Sequence, residues 1–235
     1  MINQYLIVGR RCYLKIFAMS DIHGCLDAFL DALTLVPLDE KDVKLILLGD
    51  YIHGGYDSYA VIEKIIELKK KYKSRVVVLM GNHENWVIEQ GMSIVDEDRD
   101  EGEYDDKREN KCINFIQQME LYYRYKNEVL FCHAGVDEEA EDYWEQGTSD
   151  YWYLEKFPPS SGNFCINIVA GHVSTASPYL ANDSKFQGIY YDGQSHYYID
   201  GDVLKNGIVP VIMYDTNEKK FYEVKDYCNE EIKYE

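Results

Sequence analysis

Positive charge is scarce in this sequence of 235 residues. Lys and Arg together number 24 against 42 Asp and Glu, so the formal net charge is −18. Such a charge opposes binding to the phosphate backbone of nucleic acids and to anionic lipid surfaces. We therefore exclude a nucleic acid polymer and a membrane as the main partners.

Linker-like stretches and long apolar runs are also lacking. Only five prolines occur, and no segment rich in Pro, Gly and Ser divides the chain, so we predict a single domain over residues 1–235. No apolar run approaches the ~18 residues that span a bilayer. The six cysteines show no CxxC spacing, which is typical of buried free thiols in a reducing compartment. We expect a soluble cytoplasmic protein.

What is present is an alternation of strand-like and helix-like segments, which predicts an α/β fold. Apolar, β-branched runs predict strands over residues 12–19, 43–48, 75–80, 128–132 and 164–170. Helical periodicity occurs over 25–36 and 58–72. After residue 186, Tyr-rich segments separated by Gly turns predict a second, largely antiparallel sheet. Residues 92–110 are acidic and predict an exposed loop, which is either a solvated insertion or a lid that repels unsuitable substrates.

Short blocks of metal-binding residue types follow the predicted strands. The blocks are SDIHG, GDYIHGG, GNHE, HAG and GHVS, and their candidate ligands are Asp21, His23, Asp50, Asn82, His133 and His172. Asp21 and His23 lie at i and i+2 and can hold one cation together. The Asp50 carboxylate can bridge two cations. This mixed nitrogen and oxygen set suits Mn, Fe, Zn or Ni better than Ca.

These blocks, with IDG at 199–201, resemble the calcineurin-like metallophosphoesterases, in particular their phosphoprotein phosphatase branch. The resemblance covers nearly the whole chain. It implies a β-sandwich of two mixed sheets flanked by helices, and two divalent or trivalent metal ions, Mn foremost. It also implies hydrolysis of a phosphomonoester or phosphoanhydride by a metal-bound hydroxide. The phosphorylated substrate would be a protein, a dinucleoside polyphosphate or other nucleotide, or a small ester.

The resemblance also assigns roles to individual residues. Asp50, Asn82 and His83 match catalytic positions, and His83 matches the acid that protonates the leaving oxygen. Asp200 matches a late acid that could support a metal-ligating histidine. Tyr51, in the motif loop, either lines the substrate pocket or packs in the core.

Three family positions are altered. His53 and Gly54 stand where the family has Asp and Arg, and Leu154 in WYLEKF takes the place of a second arginine. A guanidinium forms a bidentate contact with phosphate that neither Gly nor Leu can replace. Lys156 and Arg124 are either substitutes or ordinary surface residues, and His53 belongs either to the site or to a surface loop. These changes keep open a second interpretation, a weakly active or inactive protein that binds a phosphorylated partner.

Overall fold

The computed structural model describes residues 13–96, 105–225 and 228–233. Within them the strands are β1 (Lys15–Met19), β2 (Val43–Leu47), β3 (Val76–Val78), β4 (Tyr122–Tyr125), β5 (Val129–Cys132), β6 (Asn167–Ala170), β7 (Tyr190–Tyr191), β8 (His196–Tyr198), β9 (Ile212–Asp215), β10 (Lys220–Lys225) and β11 (Cys228–Glu231). The helices are α1 (Leu26–Thr34), α2 (Ser58–Tyr72), α3 (Asn82–Gln90), α4 (Asp106–Ile116), α5 (Trp144–Gly147), α6 (Asp150–Glu155) and α7 (Val203–Asn206). Short 3₁₀ turns occupy Lys73–Arg75 and Glu138–Tyr143.

The strands form two mixed sheets. The first has the order β11-β10-β9-β1-β2-β3, in which β1, β2 and β3 are parallel and β9 to β11 are antiparallel. The second has the order β4-β5-β6-β8-β7, in which β5, β6 and β8 are parallel and the two edge strands are antiparallel. Each sheet therefore contains three parallel strands whose carboxyl ends meet at one edge.

The two sheets pack face to face with helices on their outer faces. Ile16, Ile46 and Val77 of the first sheet share one apolar cluster with Phe131, Val169 and Tyr197 of the second. The outer face of the first sheet packs against α1, α2 and α4, and that of the second against α5 and α6. This arrangement confirms the predicted sandwich of two mixed sheets flanked by helices.

The main periodic segments of the sequence form the strands and helices that were predicted for them. The apolar runs form β1, β2, β3, β5 and β6, and the periodic segments form α1 and α2. Val61, Ile62, Ile65 and Leu68 of α2 are buried in the core. β4 has no clear apolar pattern in the sequence and was not predicted, because its Tyr-Tyr-Arg-Tyr residues lie at a sheet edge and are mostly only partly buried.

The late Tyr-rich strands do not form a sheet of their own, so that expectation was wrong. β7 and β8 join the second sheet through pairing of β8 with β6. β9 to β11 instead extend the first sheet beyond β1. Residue composition indicates that a segment is a strand but carries no information on which strand it pairs with.

The acidic segment 92–110 is not simply an exposed loop at its described ends. Ile94 is fully buried in the core, and α4 begins at Asp106 after Asp105 caps its first turn. The centre of the predicted loop, residues 97–104, lies outside the described residues. Residues 94–96 therefore belong to the packed structure, whereas Met92 and Ser93 are exposed as predicted.

Two further sequence expectations concern helices and thiols. In the described parts of the chain, no helix has the length and apolar character required to cross a membrane. Of the four cysteines whose side chains the structure describes, Cys112 and Cys132 are buried, Cys25 is partly buried and Cys165 is exposed. The expectation of buried thiols therefore holds for two of these four residues and is wrong for Cys165.

Candidate metal centre

The loops that follow the parallel strands of both sheets gather the predicted ligands. Asp21, Asp50 and Asn82 follow β1, β2 and β3 of the first sheet. His133 and His172 follow β5 and β6 of the second sheet. The site therefore lies where the carboxyl edges of the two sheets meet, which is the position expected for a ligand in an open α/β sheet.

Two groups of ligand atoms share one carboxylate. His23, Asp50 and His83 form the first group, and Asp50, His133 and His172 form the second. Within each group the ligand atoms lie within 4.8 Å of one another. Asp50 belongs to both groups, so its two oxygens can bind two neighbouring cations.

Two histidines are held in the tautomer that suits a metal ligand. His23 Nδ1 lies 3.3 Å from the Ile52 carbonyl, and His133 Nδ1 lies 3.1 Å from the Leu48 carbonyl. Because a carbonyl oxygen only accepts, both rings donate from Nδ1. The Nε2 lone pairs are then free to bind a cation, with the other ring nitrogen oriented by the backbone.

Asn82, the first residue of α3, faces the second group. Its Oδ1 lies 2.9 Å from His133 Nε2 and 3.2 Å from His172 Nδ1. Two lone-pair atoms that face each other need a cation or a proton between them. The opposite amide orientation would donate to the same histidines and to Asp50, whereas a bound cation would select the oxygen.

Asp21 joins the centre from the end of β1. Its Oδ1 is 4.0 Å from His23 Nε2, and its carboxylate accepts a hydrogen bond from the backbone N–H of His172. A β-carbon at Gly171 would come within 2.1 Å of Asp21 Oδ2. Gly171 is therefore required for the close approach of the GH block to Asp21.

The backbone of the site is strained. Asp21, His23, Asp50 and His172 have φ between 47° and 65°, in the left-handed region that non-glycine residues rarely adopt. Each such residue costs on the order of 1 kcal/mol. Strain concentrated in ligand-bearing loops is typical of sites whose geometry is set by the surrounding packing.

Buried negative charge is concentrated at the centre. Burial and the Asp200 carboxylate raise the pKa of Asp21 well above its ordinary value. Burial, Asp21 and Glu84 do the same to the pKa of Asp50. Carboxylates that repel one another in a buried site are stabilised by bound cations. The donor set, the bare imidazole nitrogens and this charge together fit two metal ions.

Glu84 is a site residue that was not predicted from the sequence. It is fully buried, and its two carboxylate oxygens accept hydrogen bonds from the backbone N–H groups of Asp50, Tyr51 and Gly81 at 2.8 to 2.9 Å. It thereby fixes the turn that carries Asp50. The available signal was its place three residues after Gly81 at the start of α3, where an acidic side chain caps the first turn.

His53 lies in the site rather than in a surface loop. It is 5% exposed, its Nδ1 is 2.9 Å from His83 Nδ1, and its Nε2 is 2.7 Å from the Ser93 carbonyl. The His83 ring in turn packs against Trp86 in a tilted arrangement, with ring centroids 4.4 Å apart, and its Nε2 is 3.8 Å from Asp50 Oδ2. His53 and His83 therefore contact each other at the rim of the metal centre.

The environment of His83 favours the neutral ring. Burial, reinforced by the nearby imidazoles of His23, His53 and His172, lowers the pKa of His83 to about 3. Burial also lowers the pKa of His172 to about 4, with a further contribution from His23. A neutral imidazole binds a cation or accepts a proton, but donates no proton from a bare nitrogen.

The structure places the proposed replacements for the lost arginines in contact with carboxylates. Lys156 is buried, and its Nζ donates to the Val136 carbonyl and to Glu138. Arg124 forms an ion pair with Glu145 at 2.8 Å. Leu154, at the second arginine position, is buried in the core behind the second sheet.

Tyr51 and Asp200 occupy supporting positions. Tyr51 is fully buried, donates its hydroxyl to the Leu79 carbonyl and accepts from the Gly49 N–H. It therefore packs beneath the motif loop. The Asp200 carboxylate accepts from the Asp202 N–H and adds negative charge next to Asp21.

Comparison with known proteins places the fold. A cold-active protein tyrosine phosphatase of a psychrophilic Shewanella species shares 17% identity and a TM-score of 0.67, over 94% of this chain and 80% of that chain. A protein serine/threonine phosphatase of Saccharomyces cerevisiae shares 15% identity and a TM-score of 0.58, over 86% and 73%. A putative diadenosine tetraphosphatase shares 16% identity and a TM-score of 0.54, over 89% and 92%. At these identities the likeness shows the fold alone.

A family model supplies the remaining evidence. The model of calcineurin-like phosphoesterases matches residues 14–213, which includes every predicted ligand and the two sheets as far as β9. The chain belongs to the calcineurin-like phosphoesterase family.

Proposed function

We propose that this protein is a dinuclear-metal-dependent phosphoesterase that hydrolyses a phosphomonoester or a phosphoanhydride. The observation that carries the proposal is the Asp50 carboxylate, which is common to two groups of ligand atoms. Asp21, His23 and Asp50 would hold one cation, with His83 within reach. Asp50, Asn82, His133 and His172 would hold the other. Bound cations supply electrophilic activation of the phosphoryl group and of the attacking water.

The surrounding residues maintain this arrangement. Glu84 fixes the turn before the metal centre, and backbone carbonyls orient the rings of His23 and His133. Neutral imidazoles keep the total ligand charge low, so that the cations remain electrophilic. Mn is the first cation to test, followed by Fe, Zn and Ni.

The substrate class remains a matter of proposal. Protein phosphatases that act on tyrosine or on serine and threonine, and a putative diadenosine tetraphosphatase, share the fold. We therefore retain phosphoprotein, dinucleoside polyphosphate and small phosphate ester as candidates. We propose a serine/threonine-phosphatase-like activity, which the motif order supports, and a cytoplasmic location.

The experiment is an activity screen of Mn²⁺-loaded protein against those three substrate classes and an aryl phosphate. We expect turnover, and we expect Asp50→Asn to abolish it and to lower the metal content. Asp42→Asn, at an exposed aspartate, is the matched control and should retain both. An absence of turnover by metal-replete protein on the whole panel would refute the enzyme function.

A second function is favoured by the altered arginine positions. Gly54 and Leu154 offer no guanidinium, and Lys156 and Arg124 are bound to carboxylates. The protein could then bind a phosphorylated partner without efficient hydrolysis. Metal-dependent binding of a phospho-ligand that stays intact for hours supports this alternative, whereas multiple turnovers exclude it.

A further inference from the structure

A series of four polar groups crosses the rim of the metal centre. The Ser93 carbonyl oxygen is 2.7 Å from His53 Nε2, and His53 Nδ1 is 2.9 Å from His83 Nδ1. At the far side of the second ring, His83 Nε2 faces Asp50 Oδ2 at 3.8 Å. The series therefore connects a backbone carbonyl to the carboxylate shared by both ligand groups.

The carbonyl determines where the protons of this series lie. A carbonyl oxygen only accepts, so His53 Nε2 must carry a proton. A neutral imidazole carries one proton, so His53 Nδ1 is then an acceptor. The ring nitrogen facing it must donate, which places a proton on His83 Nδ1. A neutral His83 is consequently left with a bare Nε2.

The opposite proton order would require a charged His53. That ring is only 5% exposed, and both of its nitrogens face uncharged partners. Burial of a charge without a paired counter-charge is costly. The hydrogen-bond geometry therefore fits a His53 that donates from Nε2 to the Ser93 carbonyl and accepts at Nδ1.

The position of His53 is itself well fixed. Its backbone N–H donates to the Ser58 hydroxyl, and the next N–H, that of Gly54, donates to Asp96 at 2.7 Å. The anchoring residues Ser93 and Asp96 flank the fully buried Ile94. The segment 93–96 therefore holds the motif loop from outside the sequence blocks that define the site.

We propose that His53 is a positioning residue that holds His83 in the tautomer with its proton on Nδ1, so that the bare Nε2 faces Asp50 and the candidate cation. The Nδ1 lone pair of His53 thus accepts the hydrogen bond that His83 Nδ1 donates. The segment 93–96 sets the tautomer of His53 through the Ser93 carbonyl. The consequence for turnover rests on the proposed function, whereas the proton positions do not.

The direct test is nitrogen NMR of ¹⁵N-histidine-labelled protein loaded with Zn²⁺, which is diamagnetic. The chain has six histidines, so His53→Asn and His83→Asn are sufficient to assign the two rings. We expect His53 protonated on Nε2 and His83 protonated on Nδ1. A His83 ring protonated on Nε2 and bare at Nδ1 would overturn the proposal.

Two isosteric variants separate the two ends of His53. In His53→Asn the amide oxygen takes the place of Nδ1 and can still accept from His83. In His53→Gln the amide nitrogen takes the place of Nε2 and can still donate to the Ser93 carbonyl, but nothing accepts from His83. Asn also tolerates the φ of 67° found at this position.

We expect His83 to keep its Nδ1 proton in His53→Asn and to become a mixture of tautomers in His53→Gln. Given turnover, kcat should fall by about 10- to 100-fold in His53→Gln, the scale for loss of a residue that orients a ligand. It should fall much less in His53→Asn, and KM should change little in either. Equal loss of the His83 tautomer in both variants would contradict the proposal. The predicted NMR pattern without any turnover would refute the proposed function and leave the proposal intact.

Discussion

The carboxylate of Glu84 holds the backbone of Asp50: Glu84 Oε2 accepts the Asp50 N–H at 2.8 Å, and Glu84 Oε1 accepts the Tyr51 N–H. Glu84 itself belongs to neither of the two groups of ligand atoms. Its effect on a cation is exerted through Asp50, which has φ of 55° and belongs to both groups. The shared carboxylate is therefore oriented by the third residue of α3.

Glu84→Gln should weaken both folding and metal binding. The amide can accept through only one of its two ends, so at least one buried backbone N–H loses its partner. We expect a loss of about 1–3 kcal/mol in the free energy of unfolding and roughly 10- to 100-fold weaker metal binding. Denaturant titration and calorimetric titration with Mn²⁺ measure these two effects.

The matched control is Glu89→Gln, an exposed residue of the same helix. It should leave stability and metal affinity close to those of the unaltered protein. Wild-type metal affinity in Glu84→Gln would show that the Asp50 turn is held by its other contacts.

The predicted ligands could be found from sequence because each follows directly on a strongly apolar strand. The carboxyl ends of β1, β2, β3, β5 and β6 had to meet at one edge once the strands were parallel. The shared role of Asp50 followed from its two oxygens. Periodicity and residue type therefore predicted the main strands and the candidate ligand set, whereas the arrangement in two mixed sheets was implied by the family resemblance.

The contacts between the blocks could not be found in the same way. His53 meets the Ser93 carbonyl, which is a backbone group in a segment read as an acidic loop. Lys156 reads as a surface cation, yet its ammonium is buried against Glu138. These contacts depend on tertiary packing between segments distant in sequence, and composition does not encode them.

A buried charge network behind the second sheet should give the protein a pH-dependent stability. His196 is 1% exposed and contacts Asp192 at 2.8 Å and Glu138 at 3.1 Å. Burial alone would lower the pKa of His196, but the two carboxylates raise it above its ordinary value. Hydrogen bonds from His196 and Lys156 outweigh burial and lower the pKa of Glu138 to about 2.

The sign of each contribution follows from these shifts. The raised pKa of His196 stabilises the fold fully below pH ~6.5, the pKa of an unfolded histidine, and this stabilisation is lost as pH rises through the folded pKa. The lowered pKa of Glu138 stabilises above pH ~4.3 and is lost as pH falls toward 2. We therefore expect His196→Gln to lower the free energy of unfolding more at pH 6 than at pH 9.

Urea titrations of both proteins at several pH values measure this difference. Subtracting one curve from the other removes the titration of the other histidines, which both proteins share. Equal destabilisation by His196→Gln at pH 6 and pH 9 would mean that His196 is neutral in the folded protein.

The contact between His53 and His83 predicts a preference among leaving groups. A neutral His83 whose Nε2 is bare has no proton to give. Aryl phosphates, whose leaving groups depart without a proton, should then react faster than alkyl phosphates. His53→Asp places a carboxylate against His83 Nδ1 and raises the pKa of the ring. It should raise kcat for the alkyl substrate by up to about 10²-fold and change the aryl rate little.

His53→Asn is the control, because it has the same size and tolerance of positive φ but lacks the charge. It should not raise the alkyl rate. If His53→Asp changed kcat equally on the aryl and alkyl phosphates, protonation of the leaving group would not limit the reaction.

Gly54 offers a test of how the phosphoryl group is held. Its φ is 89°, and a β-carbon there would meet Leu204 Cδ1 of α7 at 2.6 Å. Leu204 is half exposed and can move aside, so the main cost of a side chain is backbone strain of about 1–2 kcal/mol. Gly54→Arg and Gly54→Ala should therefore lower the free energy of unfolding by similar amounts.

Only Gly54→Arg adds a guanidinium, so only this variant should raise kcat/KM. The gain should be the same for aryl and alkyl phosphates, because the guanidinium contacts the phosphoryl oxygens. Thermal unfolding and steady-state kinetics of the two variants separate strain from phosphate binding. If Gly54→Arg brings no gain over Gly54→Ala, the phosphoryl group is held by groups other than a side chain at this position.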